Sequence, residues 1–187
     1  LPETSALIKK HKVKRLGIEG GELNYSTYLK LKKLLPGTRF VDVGEGMASR
    51  RMIKEPSEIE AIKRAVSFAD AGFRVAETKP VIGMTEKELA LDIEMEVRKK
   101  GAEGLSFDII VASGKRSALP HGAPSDKRIR KGEFLTIDMG ASFEGYKSDE
   151  TRTYVTGRPA RRQKEVYRVV KAAHDAAIEA VKDGVSA

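Results

Sequence analysis

Asp138 and Asp149 are the two carboxylates whose spacing points most directly to chemistry. From Phe134 onward small or apolar residues alternate with polar ones up to Glu144-Gly145, and the alternation resumes through Tyr146, Thr151, Thr153 and Val155. That is the pattern of a β-hairpin. A two-residue turn at Glu144-Gly145 makes Asp138 face Thr151 and Asp149 face Gly140. Both aspartates then lie on one face as diagonal neighbours, with Cβ atoms about 7 Å apart. Two ionised carboxylates so placed repel each other across a half-buried surface. Divalent cations between them turn the pair into a clamp of the two-metal hydrolytic kind, in which the ions sit about 3.5–4 Å apart. On spacing alone, simple solvation or pairing with Lys147 and Arg152 accounts for the two carboxylates equally well.

The run Leu119-Pro120-His121-Gly122-Ala123-Pro124-Ser125 holds a histidine in a turn between a predicted strand and this hairpin, where it can reach the same pocket. His11, in a basic run, and His174, on a predicted helix, read as surface or packing residues. The chain has no cysteine. Disulfides, thiol catalysis and thiolate ligands are therefore excluded, leaving oxygen and imidazole donors that suit hard or borderline ions such as Mn²⁺ or Co²⁺.

The elements that must position these residues are legible in outline. Asp108 to Ala112 reads as a strand leading into the histidine loop, and the hairpin spans 134–156. Before them, Ser57-x-x-Glu60 and Thr85-x-x-Glu88 are capping boxes. The first opens a helix with Ile59, Ile62, Ala65, Val66, Ala69 and Phe73 at helical spacing. The second opens a helix with Leu89, Ile93, Met95 and Val97, ending near Gly101. These stripes predict core. A last helix is expected over 163–182. Nearer the start, a strand at 13–19, a helix at 25–35 and a strand at 39–43 form a βαβ-like unit, too small to bury both faces of its own sheet. The pattern loosens over 44–56, which places a domain boundary there.

With 187 residues, 40% hydrophobic and 33% charged, the chain reads as globular, and it lacks the run of about 20 apolar residues that spans a bilayer. No membrane partner is expected. The net charge of +8 does not indicate nucleic acid, because acids interleave the basic residues and no aromatic punctuates the run 9–15.

The ordered run from Ser106 to Gly157, with Asp138, Asp149 and His121 in place, resembles the signature of the M24 metallopeptidases, in their prolidase and Xaa-Pro aminopeptidase branch. Lys54 to Glu60 looks like the entry into that family's catalytic domain, and 13–43 looks like the end of the creatinase-type domain that precedes it. The resemblance implies an α/β (α+β) fold: residues 1–50 as the C-terminal part of a creatinase-like N-terminal domain, and 51–187 as the N-terminal half of a pita-bread catalytic domain. It further implies a homodimeric, cytoplasmic metallopeptidase that cleaves between an N-terminal residue and proline. Two divalent ions, Mn²⁺ or Co²⁺ with Zn²⁺ as an alternative, would activate water for that reaction. Asp138 and Asp149 map onto the first two of five metal ligands, while a histidine, two glutamates and the general base are expected beyond Ala187. His121 maps onto a loop histidine that donates a hydrogen bond near the scissile carbonyl, and Phe107 is a candidate lining residue of the substrate pocket. The alternatives are a metal-free pita-bread domain that binds peptides or proteins, a methionine aminopeptidase-like enzyme, and creatine-type hydrolysis. Retention of both aspartates with His121 disfavours the first and third, and the 13–43 unit disfavours the second. The resemblance also predicts an exposed apolar face and a tendency to associate.

Overall fold

The computed structural model describes residues 1–185, so the last two residues of the expected 51–187 segment, Ala187 among them, lie outside the described residues. The chain divides into two compact units, Leu1–Pro56 and Ser57–Ala187.

The first unit contains α1 (Pro2–Lys10), β1 (Arg15–Ile18), α2 (Tyr25–Leu34), β2 (Arg39–Asp42) and α3 (Gly44–Met52). β1 and β2 are parallel, with Arg15 opposite Arg39 and Ile18 opposite Asp42, so the βαβ reading holds. Asn24 caps α2 by accepting the Thr27 amide at 2.8 Å, which satisfies one of the orphan donors of its first turn. Ile8, Leu31 and Leu35 form a small core against Val13, Leu16, Leu23, Leu34 and Phe40. Two elements differ from the sequence expectation. α1 was not anticipated, and α3 occupies the stretch where the pattern loosens. α3 buries none of its residues, and a helix without a buried face leaves no apolar period to read.

The second unit begins with α4 (Pro56–Thr78) and α5 (Glu86–Lys99), followed by β3 (Gly104–Leu105), β4 (Ile110–Ser113), a 3₁₀ turn at Gly114–Ala118, β5 (Phe134–Met139), β6 (Ala141–Phe143), β7 (Tyr146–Lys147), β8 (Glu150–Val155) and α6 (Arg161–Ala180). The capping box at Thr85 and Glu88 is present in both directions. The expected box at Ser57 is not the opening of α4. Pro56 opens that helix, Ser57 lies inside it, and the Glu60 carboxylate pairs with Lys63 at 2.7 Å. Proline suits the first helical position because the N–H it lacks has no intrahelical partner there. α5 ends at Gly101, whose φ of +112° is the left-handed conformation that closes helices.

Ala65, Ala69 and Phe73 on α4 and Leu89, Ile93 and Val97 on α5 pack with Val111, Leu135, Ile137 and Met139 into one core. Ile59 and Met95 depart from the predicted stripes: they are 42% and 55% exposed, because Ile59 falls outside the buried arc of α4 and Met95 points to the face of α5 opposite Leu89, Ile93 and Val97. Gly72 lets the layers approach, since a Cβ there would lie 2.8 Å from Val97 Cγ2 and 2.9 Å from Met139 Cε.

The hairpin carries the predicted register. β5 and β8 are antiparallel with Asp138 opposite Thr151, and Phe143 faces Tyr146 across the turn. Glu144 and Gly145 both have positive φ, 49° and 79°, as the tight turn compatible with strand twist requires. The hairpin does not run as one ribbon, however. It is shared between two three-stranded sheets, β3-β6-β7 and β4-β5-β8, and the break falls at Gly140 opposite Ser148-Asp149. The Ser106 hydroxyl lies 2.8 Å from the Ala141 carbonyl and 2.7 Å from the Ser148 carbonyl, and the Ala141 amide donates to Ser148 Oγ at 3.0 Å. Side-chain hydroxyls thus satisfy the Ser148 carbonyl and the Ala141 amide, which the interrupted ladder leaves open.

α6 presents Val169, Val170 and Ile178 at 71%, 62% and 60% exposure and has no buried residue, which agrees with the expected exposed apolar face.

A Cβ at position 140 would lie 1.8 Å from the Ser148 carbonyl oxygen. Gly140→Ala is expected to cost about 3 kcal/mol or more, at the severe end of overpacking, measured as a lower urea midpoint, while Gly145→Asn costs well under about 1 kcal/mol because asparagine tolerates positive φ.

Candidate metal centre

Strand alternation sorts the side chains of β4, β5 and β8 onto two faces. One face holds Val111, Leu135, Ile137 and Met139 against the helices. The other holds Ala112, Thr136, Asp138, Thr151 and Thr153, since Ala112 pairs with Thr136 and Asp138 with Thr151. The register runs unchanged from the Glu150–Met139 pair through the Ser148 amide, which donates to the Ala141 carbonyl at 2.9 Å. Asp149 therefore lies opposite Gly140, one step diagonal from Asp138.

Thr151 Oγ1 donates to Asp138 Oδ1 at 2.6 Å, which fixes one carboxylate oxygen and leaves the other open. Asp149 is exposed. The two cations that could have neutralised this pair are engaged elsewhere. Lys147 Nζ donates to the Ser106 carbonyl at 3.0 Å. Arg152 sits on the opposite face, where it binds Asp70, donates to Glu150 at 3.3 Å and lies 4.3 Å above the Phe73 ring. Among the described residues neither aspartate has an ion-pair partner.

Gly122 anchors the histidine loop to the aspartate face: a Cβ there would stand 3.0 Å from the Ala112 Cβ, and Ala112 is two residues along β4 from Ile110, the partner of Asp138. His121 is exposed, and among the described residues its ring has no hydrogen-bond partner, so both ring nitrogens are available. Phe107 is half-buried and lines a cleft of about 460 Å³ with Leu105, Asp108, Ile109 and Pro124, the last of these from the histidine loop. His174 stays on the exposed face of α6 with Nδ1 3.2 Å from Asp175, and His11 closes α1.

Paired carboxylates with no thiolate nearby suit a hard or borderline divalent cation. No group of three or more His, Cys, Asp or Glu side chains that could hold a metal occurs among the described residues. The fit is thus that of two ligands, with further donors required for a closed coordination sphere.

On the opposite face, the Arg152 cluster was not anticipated. Burial pushes the Glu150 carboxyl up, helped by repulsion from Asp70, and its buried Oε1 has no hydrogen-bond partner among the described residues. Burial and Glu77, which accepts the Tyr154 hydroxyl at 3.1 Å, push the Tyr154 phenol up to about 12. The sequence offers alternation as a signal for this face but nothing that pairs it with α4, some eighty residues away.

Because the raised phenol favours the protonated folded state, its contribution to stability is complete below pH 10 and is lost as pH rises toward about 12. Alkaline titration of tyrosinate absorbance is expected to show a late step that disappears in Tyr154→Phe, with the variant's stability falling less steeply over that window.

Residues 60–187 match the family described as metallopeptidase family M24, and residues 2–53 match the creatinase/prolidase N-terminal domain. A Xaa-Pro dipeptidase of Pyrococcus horikoshii is 42% identical over 94% of this chain and 50% of its own length. Among solved structures, the prolidase of P. horikoshii superposes with a TM-score of 0.89 at 40% identity, covering 98% of this chain and 53% of that one. An X-Pro aminopeptidase from Thermotoga maritima gives a TM-score of 0.87 at 36% identity, covering 93% and 49%. The chain spans about half the length of the curated relatives it matches. Its sequence, its two-unit α/β architecture and these likenesses agree that the chain belongs to metallopeptidase family M24.

Proposed function

We propose that this chain supplies part of the active site of a metal-dependent exopeptidase acting on the bond between an N-terminal residue and proline. The observation that carries the reading is Asp138, oriented by Thr151, with Asp149 at the next diagonal position of the hairpin; among the described residues neither has an ion-pair partner, and Lys147 and Arg152 are occupied elsewhere. Similarity to proteins named Xaa-Pro dipeptidase supports the substrate class.

Asp138 and Asp149 would hold divalent ions, with the remaining ligands contributed from outside the described residues. Ions bound there would lower the pKa of a water and polarise a carbonyl. The chain's own residues do the rest. Thr151 holds Asp138 so that its free oxygen faces outward. His121, on a loop packed over the same face, donates a hydrogen bond to the scissile carbonyl as negative charge develops on it. Phe107 borders the cleft for the substrate side chains. Proline calls for such a dedicated site because its tertiary amide has no N–H to offer a strand-type binding edge, and its ring restricts the residue before it. We assign residues 1–50 to the N-terminal creatinase-like domain and 51–187 to the catalytic domain. A homodimer in the cytoplasm is the working assembly and location. No helix among the described residues is long and apolar enough to cross a membrane.

The test is metal-dependent hydrolysis of Xaa-Pro dipeptides by the native gene product. Asp138→Asn is expected to abolish metal-dependent turnover, and His121→Ala to lower kcat about 10²–10³-fold, as for the loss of one transition-state donor. Turnover unaffected by Asp138→Asn would sink the assignment. Thr151→Val is expected to weaken Mn²⁺ binding by about 10–100-fold, the usual effect of losing a residue that orients a metal ligand, with the unfolding midpoint nearly unchanged.

A further inference from the structure

Glu86 is fully buried at 0% exposure, yet it is not needed to cap α5, because Thr85 and Glu88 already do so. Its two oxygens instead collect five donors. Oε1 accepts the Ser113 amide at 2.8 Å and the Ser113 hydroxyl at 2.9 Å. Oε2 accepts Arg116 Nε at 3.1 Å, the Ser125 amide at 3.1 Å and the Ser125 hydroxyl at 2.7 Å. An ionised carboxylate offers about four lone-pair sites, so this one is saturated.

Those donors all come from the loop that carries His121 or from Ser113, the last residue of β4, where that loop begins. Ser113 and Arg116 lie where the loop leaves β4, and Ser125 lies where it returns. Arg116 Nη2 also donates to the Ala123 carbonyl at 2.6 Å, and the Ala123 amide donates to the His121 carbonyl at 2.9 Å. The frame therefore closes around His121 and Gly122. Lys127 extends it, reaching Ser113 Oγ at 2.7 Å and Glu133 at 2.6 Å. Burial acts to push the Glu86 carboxyl up, but hydrogen bonds from Ser125, Ser113 and Arg116 outweigh it and hold it below its ordinary value.

A buried ion pair is a poor route to stability, since an apolar side chain of similar size often serves as well or better. We propose that Glu86 is a positioning residue: it clamps both ends of the 113–125 loop and so sets where His121 stands over the Asp138 face. The inference rests on the reading of His121 as the substrate-facing donor.

The test is amide hydrogen exchange and histidine-ring NMR on this chain, with no metal or substrate present. Glu86→Gln places an amide NH₂ against donors, and is expected to raise exchange at residues 116–125 by at least about tenfold relative to α4, as loss of a charged hydrogen bond implies. The His121 ring signals are expected to shift or broaden. Ser125→Ala acts in the same direction with smaller size, while Ser125→Thr, which keeps the hydroxyl, restores the wild-type pattern. Unchanged loop exchange, or exchange raised equally through α4 and β5, overturns the proposal. Where Glu86→Gln does not fold, the Ser125 pair decides: equal behaviour of the alanine and threonine variants overturns it. The two readings fail separately: native gene product that does not hydrolyse Xaa-Pro dipeptides removes the functional reading, whereas loop loosening in Glu86→Gln is read on this chain without metal or substrate and decides the positioning role alone.

Discussion

The Ser148 carbonyl occupies the place where a side chain at position 140 would begin, 1.8 Å from an ideal Cβ. That contact is possible only at glycine, and it holds two runs of the hairpin together at the point where the ladder changes sheets. Ser106 and Ser148 hydroxyls take over the backbone groups that the change leaves open. Had the register slipped by one residue, every side chain on these strands would have exchanged faces. Asp138 would then point into the core with Ile137 outside, and the pair with Asp149 would not exist.

With the register held, one pair of strands keeps two electrostatic environments apart. On the helix side, Arg152 gathers three carboxylates, Asp70, Glu150 and Glu77, and lies over the Phe73 ring. On the open side, neither Asp138 nor Asp149 has an ion-pair partner among the described residues. Lys147 and Arg152, the cations nearest Asp149 in sequence, are thereby engaged away from the open face. The loop bearing His121 is laid onto that face by a small contact, Gly122 on Ala112, and is restrained from behind by the buried carboxylate of Glu86.

Much of this was legible in the sequence where the signal is local. The alternation from Phe134 and the Glu144-Gly145 turn specify the hairpin register, because a period of two and a two-residue turn leave one pairing. Thr85-x-x-Glu88 specifies the start of α5 because each side chain accepts the other residue's backbone amide. Ser57-x-x-Glu60 has the same letters without the result, since Pro56 already opens the helix and Glu60 finds Lys63. α3 was invisible because it buries nothing, and α1 because its buried residues are only Ser5 and Ile8. Glu86 reads as an ordinary acid in a first helical turn. Its partners Ser113 and Ser125 are 27 and 39 residues away, and no local pattern announces a contact of that range. Of the candidate site, the register that sets Asp138 opposite Thr151 is readable, while the diversion of Lys147 and Arg152 is not.

We propose that the aspartate face, rather than acidity in general, attracts a divalent ion. The chain provides its own control, because Glu19, Glu22, Asp42 and Glu45 line an acidic cleft in the first unit. Adding Mn²⁺ in small increments to the isotopically labelled chain and following paramagnetic broadening residue by residue distinguishes the two places. The account predicts that broadening begins at Asp138, Asp149 and Thr151, reaches the His121 loop next, and vanishes in Asp149→Asn. Broadening that begins around Glu19 and Asp42 and persists in that variant would contradict it.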